Sequence, residues 1–149
     1  MDVSHRAVQG HRLLQVGVFL FLLALLVGLV VPKFAVPRIG LSTHLLGIMQ
    51  GTFLVAIGLA WERLRLTLAA SKAAFFLAIY GCFAAWTANL TAAVLGAGRS
   101  MLPLAAGSAR GTPVQETVIA VALISAALSL IGMTLLVLWG LRSPASRIG

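Results

Sequence analysis

Chemistry in this sequence centres on one imidazole. His44 lies in the tract LSTHLLGIMQGTFLVAIGLAW, residues 41–61, where no Asp, Glu, Lys or Arg interrupts the apolar run. An ionisable group inside such a run is a functional hypothesis by default. Three roles fit an imidazole there: an interfacial side chain bonded to a loop carbonyl, a ligand to a metal or haem iron, and a general base. Gly47 and Gly51 follow it as H-x-x-G-x-x-x-G, and Val55 and Gly58 continue the same helical face. Such an empty wall accommodates either a neighbouring helix or a flat ligand. Thr43 and Gln50, seven residues apart, share the flank beside it. In a later tract Trp86 and Asn89 fall on one side of a helix, with Tyr80, Thr87 and Thr91 on another. Asn89, Thr91, Arg99, Gln115 and Glu116 are expected towards the His44 end.

Several chemistries lack their residues. The sequence has no paired-carboxylate site, no zinc-like Cys/His cluster, no nucleophile elbow and no phosphate loop. Glu62 and Glu116 fall at opposite membrane faces, so no acid stands near the midplane, where a proton-coupled transporter usually has one. His5 and His11 are expected at the face opposite His44, which argues against a bis-histidine electron carrier within one chain. An iron held by His44 would keep its other axial position for substrate.

The elements that must position these residues follow from the charges. Leu13–Val31, Ser42–Trp61, Ala73–Leu95 and Thr117–Trp139 contain no Asp, Glu, Lys or Arg over 19, 20, 23 and 23 residues. About 20 apolar residues carry a helix across a bilayer. Only helices and closed barrels satisfy their backbone there, and period-2 alternation is absent. The expectation is an all-α integral membrane protein, one domain over 1–149. Its four-transmembrane-helix bundle has spans at about 13–31, 42–61, 73–95 and 113–141. With 60% hydrophobic and only 9% charged residues, the chain could not cover its surface in water, where about 25% charged is usual. The first run exceeds a signal-peptide core and no small-x-small cleavage site follows it before Pro32, so a retained helix is expected.

Ser42 is a candidate N-cap for the second helix, and Pro37 is expected to keep the preceding connection extended. Trp61 is expected at a membrane interface. Thr112-Pro113-Val114-Gln115 has the pattern of a capping box opening the fourth helix, and Glu116 suits that helix's positive end. Arg142 and Pro144 end it. Small-residue stripes recur on three spans: the glycines after His44, then Ala74, Ala78, Gly81, Ala85, Ala88 and Ala92, then Ala122, Ser125, Ser129 and Gly132. Close helix packing in lipid is their plainest reading.

The net charge of +8 fits anionic lipid head groups better than nucleic acid, and no nucleic-acid partner is expected. Arg6, Arg12, Arg63, Arg65, Lys72, Arg142 and Arg147 lie on one side, against Lys33, Arg38, Arg99 and Arg110 on the other. That excess places both termini in the cytoplasm. Cys82, inside a span, says nothing about redox compartment.

The tract from Phe21 to Leu66, above all VPKFAVPRIGLSTHL and GIMQGTFLVAIGLAW, resembles the hydroxylaminobenzene mutases, small bacterial membrane enzymes. The likeness continues more loosely through Tyr80 to Gly107. More distantly, the arrangement of His44, Gly47 and Gly51 is similar to styrene oxide isomerase. The first resemblance implies an isomerase, at the bacterial inner membrane, that rearranges an arylhydroxylamine such as hydroxylaminobenzene to an aminophenol. The second implies haem b as a Lewis acid, ligated by His44 in a homotrimer, and leaves aryl-epoxide isomerisation as an alternative. Gln50 stands where the isomerase has Asn, and no tyrosine matches its active-site tyrosine, which falls near Ala92. Those departures favour mutase-like chemistry.

The expected site therefore has His44 as metal ligand, with Gly47, Gly51 and Arg99 towards the cofactor and Gln50, Asn89 and Trp86 as catalytic lining. The expected partners are a small aromatic substrate, membrane lipid and further copies of the chain, a trimer by resemblance. The competing readings are a small-molecule transporter or binding bundle, and a structural subunit of a larger membrane complex.

Overall fold

In the computed structural model, which describes residues 2–142, the elements are helices joined by turns. Pro144 and Arg147 lie outside the described residues. Four long helices, α1 (Asp2–Val30), α2 (Pro37–Ala60), α3 (Leu68–Leu95) and α5 (Pro113–Gly140), are each long and apolar enough to cross a membrane. A single turn, α4 (Pro103–Ala106), interrupts the third loop.

The helix ends show where local signals decide. Ser42 does not cap α2: the helix starts at Pro37, whose ring presets the helical φ and whose missing N–H costs nothing at a first turn. His44 consequently sits two turns inside the helix instead of one. Thr67, six residues ahead of the expected start, caps α3 by accepting from the Ala70 amide. Gly96, at φ +67°, ends α3 in the left-handed region that glycine occupies without strain. The capping box is present as expected: the Gln115 amide donates to Thr112 Oγ1, and Gln115 Oε1 accepts from the Thr112 amide.

Packing divides the molecule into two antiparallel hairpins. α1 lies along α2 and α3 along α5, and a less extensive α2–α3 contact joins the pairs. α5 has no extended contact with α1 or α2. At the face that carries the start of α1, Arg6 Nη1 and Nη2 donate to the carbonyls of Leu64 and Leu66 at 3.0 and 2.6 Å. The Arg65 amide donates to Gly140 O at 2.8 Å, tying the α2–α3 turn to the end of α5. Trp61 stands at this end of its span, as expected, with its ring turned inward. It is 1% exposed, its indole N–H donates to Gln9 Oε1, and its ring meets Phe75 edge-on. Ser71 Oγ also donates to Gln9 Oε1, so a buried polar group that would be costly alone is paired twice. At the opposite face the Val36 amide donates to Ala93 O, above a small core of Val36, Ile39, Ala92, Ala93, Ala97, Ala106 and Ile119.

Candidate functional site

The site begins with the glycines of the first hairpin. Gly10 meets Gly58, Gly17 meets Gly51, and Gly28 meets the ring of His44. A Cβ on Gly51 would stand 2.8 Å from both Gly17 O and the Phe21 amide nitrogen, so α1 backbone fills the Gly51 notch. A Cβ on Gly28 would stand 2.6 Å from His44 Nδ1 and 2.7 Å from Cε1. The bare glycine is what lets the imidazole lie against α1.

There Nδ1 is 2.7 Å from the carbonyl oxygen of Ala24. A carbonyl only accepts, so Nδ1 carries a proton, and the tautomer with that proton has its lone pair at Nε2. Nε2 makes no hydrogen bond within the described residues and is not sealed from the surface. A ring nitrogen fixed by a backbone carbonyl, with the other free, is how metal-bound histidines are usually oriented. No three His, Cys, Asp or Glu side chains gather among the described residues. A cofactor that brings its own equatorial ligands, as a porphyrin does, needs only His44.

Trp86 and Gly47 meet elsewhere, on the seam between the hairpins. A Cβ on Gly47 would be 2.6 Å from Trp86 Nε1 and 2.6 Å from the Ala24 Cβ, so the indole of α3 lies in the notch this glycine leaves. Gln50, one turn further along α2, is buried, as are Thr43 and Asn89. Thr43 Oγ1 donates to Ile39 O and Asn89 Nδ2 to Ala85 O, each within its own helix. Gln50 Oε1 and Trp86 Nε1 have no partner.

Arg99 stands apart from both groups. With Ser100, Arg110, Gly111, Pro113 and Glu116 it lines a cleft of about 310 Å³ in the third loop. Glu116 organises that loop. Its Oε1 accepts from the amides of Gly98, Arg99 and Gly111, and its Oε2 from the amide and hydroxyl of Ser100, at 2.9–3.2 Å. One carboxylate thus holds both ends of the loop, a role reaching well beyond support of its own helix start. Glu116→Gln, which turns one acceptor into a donor facing amides, is expected to speed amide hydrogen exchange at Gly98, Ser100 and Gly111 by about tenfold. Unchanged exchange there would show that the carboxylate does not clamp the loop.

The structure therefore packs Trp86 against Gly47, buries Gln50 and Asn89 within α2 and α3, turns His44 and Gly51 towards α1, and leaves Arg99 in the loop cleft. Gly28 and Ala24, which seat His44, were not among the expected site residues. Their signal was the spacing of Gly10, Gly17, Ala24 and Gly28, at seven, seven and four, a small-residue stripe on the first span.

The family described as styrene oxide isomerase matches residues 9–142. Hydroxylaminobenzene mutase HabB of Ectopseudomonas oleovorans is 53% identical over 144 residues, 97% of this chain and 88% of its own length. Hydroxylaminobenzene mutase HabA of the same organism is 44% identical over 109 residues, 73% of this chain and 81% of its own. No solved structure matches the chain.

Proposed function

Because the chain belongs to the styrene oxide isomerase family, we propose that it is a membrane isomerase that moves the hydroxyl of an arylhydroxylamine from nitrogen to a ring carbon, giving an aminophenol. The observation that carries this reading is the 53% identity to a hydroxylaminobenzene mutase along 97% of the chain. The reaction is an isomerisation: an N–O bond breaks, a C–O bond forms and a ring proton is lost as nitrogen gains one. Atoms and electrons balance without a co-reactant.

The residues fit haem b as the cofactor, held through His44 Nε2. When bound, the iron supplies a Lewis acid for the departing oxygen. The chain's own part is then definite. Ala24 O keeps the proton on Nδ1, and Gly28 keeps the ring's seat clear. Gln50, Asn89 and Trp86 line the substrate's approach, and the apolar seam keeps bulk water from an electron-poor aryl nitrogen. Arg99 is the loop residue proposed to face the cofactor's carboxylates. A substrate that partitions into lipid can enter sideways between helices, which suits a protein whose spans expose much of their surface.

The active form is proposed to be a homo-oligomer, three copies by the resemblance, in the bacterial inner membrane. The face that carries the start of α1 and the α2–α3 turn is proposed to be cytoplasmic, from its excess of Lys and Arg. Aryl-epoxide isomerisation is the second reading, favoured by the family's description.

The test uses detergent-purified protein under anaerobic conditions, with hydroxylaminobenzene in isotopically labelled water. Aminophenol formed without oxidant, reductant or nucleotide, and free of solvent label, is expected. A requirement for any of the three overturns the isomerase, and full label incorporation overturns intramolecular transfer.

A further inference from the structure

Among the described residues, two buried side-chain nitrogen or oxygen atoms lack a hydrogen-bond partner: Trp86 Nε1 and Gln50 Oε1. The first can only donate and the second only accept. They belong to residues that are 6% and 8% exposed, on the facing helices α3 and α2. Elsewhere within the spans the buried polar side chains are spoken for, Thr43 by Ile39 O and Asn89 by Ala85 O. Buried polar atoms are rarely left unpaired, and one that is calls for an explanation.

Their placement supplies one. The indole N–H lies at the Gly47 turn of α2. Gln50 is the next buried position along α2, and a helical side chain leans towards its own N-terminus, here back towards the Gly47 turn. A donor and an acceptor are thus directed to one level of the α2–α3 seam.

We propose that Trp86 Nε1–H and Gln50 Oε1 are a donor–acceptor pair that recognises the N–OH group of the substrate and so selects arylhydroxylamines over aryl epoxides. The proposal rests on the functional reading above for the identity of the substrate. An arylhydroxylamine has an oxygen that accepts from the indole and an O–H that donates to the amide. An epoxide accepts but has nothing to donate, so in its presence the Gln50 carbonyl stays buried and unpaired. Sites built to bond a hydroxyl reject analogues that lack it far more strongly than apolar pockets reject an extra methylene.

Two unreactive probes separate this from catalysis. Benzaldoxime carries a hydroxyl donor and acceptors; anisole carries an acceptor only. Binding of each to the purified wild type, Gln50→Leu and Trp86→Phe is measured by inhibition or by intrinsic fluorescence. Benzaldoxime is expected to bind wild type at least about tenfold more tightly than anisole. Gln50→Leu should bring the two within about threefold by weakening benzaldoxime alone, whereas Trp86→Phe should weaken both. The ratio within one preparation does not depend on how much of it is folded. Gln50→Leu also removes an unpaired buried group, so its melting temperature should equal or exceed that of wild type.

An unchanged ratio in Gln50→Leu overturns the proposal, as does a wild type that binds neither probe or does not discriminate, which is the result expected if the pair holds only a buried water. Failure of aminophenol formation with the probe selectivity intact would instead overturn the functional reading and leave the recognition pair standing.

Discussion

His44→Ala is expected to abolish the Soret absorbance of the purified protein and to lower aminophenol formation by on the order of 10²-fold or more. A Lewis-acidic metal contributes several kcal/mol of charge stabilisation, and each 1.36 kcal/mol is a factor of ten. The prediction has an internal control in Gly28→Ala, which leaves His44 in the sequence but puts a methyl 2.6 Å from Nδ1. The ring must then leave its seat and with it the 2.7 Å contact to Ala24 O. Loss of such an orienting partner typically costs 10–100-fold in metal affinity. A weakened or shifted Soret band in Gly28→Ala is therefore expected, recovering as haem is added. A wild type that stays colourless after haem supplementation removes the cofactor. A Soret band that survives His44→Ala unchanged removes His44 as its ligand.

Gly51→Leu should be the most damaging substitution to the fold. The first atom of its side chain would meet Gly17 O and the Phe21 amide nitrogen, each at 2.8 Å, and both are backbone. Nothing there swings aside, so α1 and α2 must separate along the hairpin. Overpacking costs about 1–3 kcal/mol where side chains can adjust and more where they cannot. A loss of about 3 kcal/mol or more is expected, seen as a lower melting temperature and a poor yield of monodisperse protein. Gly132→Ala is the matched comparison. Its Cβ would lie 3.6 Å from Leu77 Cδ1, an ordinary contact, and alanine is the better helix former by about 1 kcal/mol. Equal melting temperatures for Gly51→Leu and wild type would show that the glycine contacts do not hold the hairpin.

What could be read from the sequence was what depends on neighbours along the chain. Four spans followed from charge-free lengths, and the Thr112–Gln115 box from a pattern three residues wide. Ser42 misled because capping propensity is weak evidence beside a proline that starts a helix five residues earlier. Trp61 marked the end of its span, but a tryptophan's type does not say whether its ring faces lipid or the core. The distinction lay in Gln9, 52 residues away, which accepts its N–H. Glu116 showed its place at a helix start but not its hold on amides 16 to 18 residues upstream. At the site, the sequence identified His44, Gln50, Trp86 and Asn89 by residue type. It did not show that His44 turns to α1 while Trp86 of α3 fills the Gly47 notch, because each helix has several flanks and only packing chooses among them.

The division into two hairpins has a consequence for how the protein is made. α1 and α2 can pair as soon as the translocon releases them, because the glycine contacts between them require nothing from the rest of the chain. α3 and α5 pack more extensively on each other than on the first hairpin. The seam that carries Gln50 and Trp86 is then expected to close after the two hairpins have formed. Two separately translated halves are therefore expected to meet along the same surface.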